Sequence, residues 1–172
     1  MKIEDFLGSR KKDIIEKWFN RVIETYSDDT AHFLKTQKDP FANPVGSNIL
    51  SGLNALFDGL VSGGDEKEIE AFLDRIIRIR AIQTIFSPSQ ATAFIFDLKK
   101  VIRDIYKNEL NKSDALMELL LFETRIDSLG LAAFDVFVKC REQIYEIKAN
   151  QERSKIFRAF ERAGLVTEIQ EE

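Results

Sequence analysis

The chain has 172 residues, 44% apolar and 31% charged, with fourteen Phe against three Tyr and one Trp, a balance that suits one globular domain with a real core rather than a disordered chain. A net charge of −4, with acids and bases interspersed, excludes a general phosphate-backbone binder. No apolar run reaches the roughly 20 residues that span a bilayer, which argues against membrane insertion.

The amino terminus, Met1-Lys2-Ile3-Glu4-Asp5, turns acidic at once and lacks the apolar stretch of a signal peptide. Together with the lone Cys140, which has no intrachain partner for a disulfide, it points to a reducing cytoplasm.

From Arg10 to Tyr26, Ile14, Ile15, Trp18, Phe19, Val22 and Ile23 recur at helical spacing and predict one wide apolar face. Ser27-Asp28-Asp29 breaks that helix, and a short helical piece from Thr30 to Lys35 follows. Residues 36–46 read as loop, since Pro40 and Pro44 bias Asp39 and Asn43 away from helical angles. Asn43 as cap and Pro44 in the first turn start a helix that runs to Val61. Ser62-Gly63-Gly64-Asp65 ends it and caps the next, from Glu66 to Ile82, with Arg75, Arg78 and Arg80 near its carboxyl end.

Ser87-Pro88-Ser89-Gln90 is the sharpest local signal, a capping box with proline in the first helical position. The helix it opens, to about Leu110, is apolar nearly all round at Ala91, Ala93, Phe94, Ile95 and Phe96. After the break at Asn108–Ser113, a long helix starts near Asp114, with a heptad-like stripe from Ile126 to Ile147. Gly164 ends it, and residues 163–172 read as a frayed acidic tail. The expected fold is therefore all-α, with five or six helices in one domain over residues 1–162, globin-like or a helical bundle. Residues from about 138 to 162 form a projecting C-terminal helix in this reading.

Several phrases in order and spacing resemble one family: Trp18 to Tyr26, Asp39-Pro40-Phe41-Ala42-Asn43-Pro44-Val45-Gly46, Arg78 to Gln83, and Phe86-Ser87-Pro88-Ser89-Gln90-Ala91. Leu98-Lys99-Lys100 and Cys140-Arg141-Glu142-Gln143-Ile144-Tyr145-Glu146 continue the match. The chain resembles the N-terminal domain of RsbRD-type RsbT co-antagonist proteins of bacterial stress signalling. The resemblance implies a sensory or regulatory input domain that precedes an output module. It also implies a globin-like architecture without haem. The family's phosphorylated residues lie in that output module, so none is carried over to this chain.

Two constellations stand out. Arg78, Arg80 and Gln83 at one helix end lie close in sequence to Ser87, Ser89 and Gln90 at the next helix start. Guanidinium groups beside free backbone N–H groups would bind a small anionic ligand or a phosphorylated segment; the plainer reading is a satisfied cap with solvated or paired arginines. The second is the stripe Ile126, Leu129, Ala133, Phe137, Cys140, Ile144 and Ile147. It either meets a second copy in a homodimer or belongs wholly to the monomer core. Asp135 and Lys139, four apart, support its exposed side.

Phe41, between two prolines, is expected to plug the core rather than to dock a partner. Cys140 is read as a small buried hydrophobe before a redox thiol. His32, the single histidine, is expected on the surface, where it offers no later-helix haem ligand. One His and one Cys make no ordinary zinc site, and no catalytic motif is present. The sequence thus points to a non-catalytic, cofactor-free regulatory domain that works through protein contacts. A constitutive scaffold without a ligand is the alternative, and a haem or small-molecule carrier is the remotest.

Overall fold

A computed structural model describes residues 2–83, 85–111 and 114–165, and every regular element among them is helical. In chain order these are α1 (Ile3–Ser9), α2 (Lys11–Ile23), α3 (Asp28–Thr36), α4 (Pro44–Ser62), α5 (Glu66–Ile82), α6 (Pro88–Thr92), α7 (Phe94–Tyr106), a 3-10 turn (Lys107–Glu109) and α8 (Ala115–Arg162). The all-α expectation holds, with eight α-helices among the described residues rather than five or six.

Two features account for the excess. The short α1 is anchored by buried Ile3, Phe6 and Leu7, too few positions for a periodicity to show. The segment opened by the capping box turns at Ala93, where Phe96 N reaches the Ala93 carbonyl at 3.0 Å, a three-residue spacing that tightens the helix and separates α6 from α7. Residues 112 and 113 of the predicted break, and 166–172 of the predicted tail, lie outside the described residues.

The caps are where the local sequence places them. Asn43 Oδ1 accepts from Gly46 N at 2.8 Å, and Asp65 accepts from Lys67 N at 3.3 Å. Gly63, at φ 72°, ends α4 in the left-handed region that a side chain would strain.

Packing is organised around α8, which lies against α5, α7, α6 and α1, while α4 fits between α5 and α2, and α2 crosses to α7. Trp18, wholly buried on α2, donates Nε1–H to the Phe94 carbonyl at 2.7 Å and so ties the α2–α7 pair together. Gly130 lets the Phe96 ring lie directly on the α8 backbone; a Cβ there would collide with that ring. The glycine thus serves close helix approach.

Phe41 corrects its expectation. It is 96% exposed, at the tip of a turn in which Asp39 Oδ1 accepts from Phe41 N. That turn directs the ring outward, and Asn43 rather than Phe41 fills the space beneath the loop, at 3% exposure.

Candidate functional site

The apolar periodicity of α5 runs Leu73, Ile76, Ile77 and Ala81, all buried, and Arg80 falls on that same face. Its side chain is consequently wholly buried. Nη2 donates to Thr25 Oγ1 and to the Gln90 carbonyl, both at 3.0 Å, joining the ends of α2, α5 and α6. Three rings surround the guanidinium: Phe86 with its centroid 4.1 Å from Cζ, Tyr26 at 5.5 Å and Phe94 at 5.6 Å. Cation–π attraction of about 2 kcal/mol per desolvated ring offsets part of the burial cost. Burial lowers the Arg80 pKa, and Tyr26 opposes the shift. Burial likewise raises the Tyr26 phenol, which therefore stays protonated, against an opposing effect of Arg80.

Among the described residues, no carboxylate pairs with Arg80, and its Nε and Nη1 have no hydrogen-bond partner. Tyr26 Oη and Gln83 Oε1 are also buried and unpartnered, and these four atoms are the whole set of such side-chain atoms in the described residues.

The other residues of the predicted anion site go elsewhere. Arg78, two residues from Arg80 and so on the other side of α5, forks onto Asp74 through Nε at 3.1 Å and Nη2 at 2.9 Å. Ser87 and Gln90 satisfy each other: Ser87 Oγ accepts from Gln90 N at 3.2 Å, and Gln90 Oε1 accepts from Ser87 N at 3.0 Å. Ser89 Oγ lies 3.1 Å from Ser87 Oγ. Arg80 and the Gln83 amide oxygen are thus both buried, with Tyr26 and Thr25 against Arg80 as companions that the sequence did not single out. Ser87, Ser89 and the Gln90 side chain remain on the surface.

The stripe on α8 also divides. Ile126, Leu129, Ala133, Phe137 and Cys140 are buried in the chain's own core, Ile144 is half-buried and Ile147 exposed. A second apolar stripe occupies the opposite side of the same helix. Met117, Leu120, Leu131, Phe134, Val138, Tyr145, Ile156 and Phe160 fall within an arc of roughly 100° at 3.6 residues per turn, with Asp127, Asp135, Glu142, Glu152 and Arg153 interspersed in the same arc. The apolar members are all exposed except the half-buried Val138. From Tyr145 to Arg162 every residue of α8 is exposed. Lys139 pairs with Glu70 of α5 at 3.3 Å rather than with Asp135.

A groove of about 400 Å³ joins the two regions, lined by Phe86, Pro88, Phe134, Val138, Arg141 and Tyr145. Arg141 spans it, donating to the Ala81 carbonyl at 3.1 Å and to Tyr145 Oη at 2.9 Å. Larger grooves of about 880 Å³ and 780 Å³ lie elsewhere. The first is between the end of α4 and α8; the second, beside the α4 start, carries Lys11, Lys12, Lys35 and Lys38.

Cys140 sits 3.9 Å from an Asp74 oxygen. Burial raises its thiol pKa, Arg78 opposes this, and Asp74 adds to it. A buried thiol beside a carboxylate is a poor nucleophile. We expect Cys140 to react with a thiol reagent at least tenfold more slowly in the native chain than in urea; equal rates would contradict this. His32 is exposed on α3, and among the described residues no three His, Cys, Asp or Glu side chains group as a metal site.

The profile of the RsbT co-antagonist protein rsbRD N-terminal domain matches residues 12–151, from the start of α2 into the exposed part of α8. The chain belongs to this family. RsbRD N-terminal domains are a stress-signalling, regulatory group. An uncharacterized protein of Archaeoglobus fulgidus is 21% identical over 146 residues, covering 85% of this chain and 87% of that protein. No solved structure matches. The RsbRD profile takes in both the Arg80 cluster and most of the exposed α8 stripe. No helix among the described residues is long and apolar enough to cross a membrane.

Proposed function

We propose that this chain is a non-catalytic regulatory input domain of the cytoplasm, acting through protein contacts as a homodimer with α8 at the dimer face. The observation that carries this reading is the exposed apolar stripe from Met117 to Phe160. Exposed apolar side chains gathered on one face of a helix, rather than scattered singly, mark an interaction site. A single helix face meeting itself across a two-fold axis is the simplest way to cover it. Membership of a regulatory family supports the same reading. Residues 1–162 act as one domain, with the helix beyond about residue 138 serving as the signalling extension.

In this arrangement the buried stripe folds the domain and the exposed stripe assembles it. Light scattering at about tens of micromolar is expected to give twice the chain mass, since assembly is governed by mass action. Leu131→Glu with Phe134→Glu should give the mass of one chain with unchanged helical circular dichroism, because like charges now face each other across the axis. A wild-type chain that stays monomeric under these conditions would sink the proposal.

A further inference from the structure

We infer that Arg80, Tyr26 and Gln83 form an interior binding site for a small singly charged anion, of halide or formate size, enclosed where α2, α5 and α6 meet. The inference rests on the side chains and holds whether or not the domain dimerises. Arginine keeps its charge at any physiological pH, so burial cannot be relieved by loss of a proton. A buried charge is normally paired, and among the described residues Arg80 has no carboxylate. Ring faces accept no ordinary hydrogen bond, and Nε–H and Nη1–H are left without a partner.

The Tyr26 hydroxyl, which lies beside the guanidinium and can accept from it, still carries an O–H that supplies a further donor. The Gln83 amide supplies another after a half-turn that exchanges its oxygen and nitrogen. Several N–H and O–H donors around one positive centre suit an anion. Full burial of Arg80 against the rings of Phe86, Tyr26 and Phe94 favours an occupant of only a few atoms.

Position gives the site consequences. Phe86 stacks on Arg80 and also lines the groove with Phe134, Val138 and Tyr145. Arg141 holds the Ala81 carbonyl, one residue from Arg80. An anion that draws the guanidinium toward itself therefore acts on the residues that border the exposed stripe of α8.

The test uses the whole chain at constant ionic strength, with sodium gluconate replaced stepwise by sodium bromide or sodium formate. Since only a ligand of the native state raises the midpoint of unfolding, the wild-type midpoint should climb with the logarithm of one of these anions, relative to Arg80→Met. A climb with bromide alone identifies a halide site, and one with formate a carboxylate site. Tyr26→Phe should need about tenfold more anion for the same shift, as expected for one lost hydrogen bond to a charged group. Identical responses in wild type and Arg80→Met, or no response to either salt, would overturn the site.

If Arg80→Met does not fold, wild-type crystals grown in bromide and in formate decide the matter. An anomalous peak at hydrogen-bond distance from Arg80 supports the inference; bromide found only elsewhere, together with no formate at Arg80 in crystals grown in that salt, overturns it. A monomeric chain with Arg80-dependent anion binding would remove the dimer and leave this site standing.

Discussion

Trp18→Ala is expected to lower the stability of the chain by about 3–5 kcal/mol, the cost of deleting a large aromatic from a packed core. Trp18 is wholly buried, its ring lies 6.4 Å from that of Phe94, and its indole donates to the Phe94 carbonyl. The substitution therefore opens a cavity between α2 and α7 and removes the hydrogen bond to the Phe94 carbonyl at once. Trp18→Phe separates the two effects, keeping most of the packing and losing the hydrogen bond, for a cost of about 1–3 kcal/mol. Urea unfolding followed by circular dichroism measures both. A loss below about 1 kcal/mol for Trp18→Ala would mean that α2 and α7 do not pack through this residue.

Asn43→Ala is expected to cost about 2–4 kcal/mol, more than the ~1 kcal/mol of an ordinary cap. Asn43 is 3% exposed and uses both ends of its amide. Oδ1 caps α4 through Gly46 N, while Nδ2 donates to the carbonyls of Leu34 and Gln37, each at 3.0 Å. One side chain thus holds the end of α3 to the start of α4. Asn43→Asp keeps the acceptor but sets a carboxylate against two carbonyls, so it should destabilise at least as much as alanine. Gly46 belongs to the same device, because a Cβ there would strike the Asn43 amide. Equal stability of wild type and Asn43→Ala in urea would refute the bridging role.

Cap chemistry made much of this fold legible. Asn43, Asp65 and the Ser87–Gln90 box act through bonds to residues two or three positions away, so a short window of sequence contains the whole interaction. Interhelix relations are not local in that way. The α8 sequence carries apolar residues on two sides, and periodicity alone favoured the heptad-like one, which the chain buries against itself. Which stripe faces inward is decided by packing on α5 and α7, through non-local contacts such as Phe96 on Gly130 and Lys139 with Glu70. The direction of Phe41 is not legible locally, because a ring between prolines suits an inward or an outward turn equally well. For Arg80 a signal existed: it occupies the core position of the Leu73, Ile76, Ile77 series, whereas Arg78 does not. Grouping the two arginines by charge hid the opposite directions that a two-residue step imposes on a helix.

The exposed end of α8 has a mechanical meaning. Between Leu131 and Arg162 the helix contains neither glycine nor proline, and the next left-handed residue is Gly164. A helix without such residues bends gently and offers no sharp joint. Its last eighteen residues, Tyr145 to Arg162, extend about 27 Å at 1.5 Å per residue. It is a pointer whose base is clamped by the core and by the Arg141–Ala81 contact. A tilt of about 10° at that base carries the tip about 5 Å sideways, enough to trade one set of partner contacts for another. On the signalling function proposed above, what this domain passes onward is an angle, read at the far end of a stiff rod.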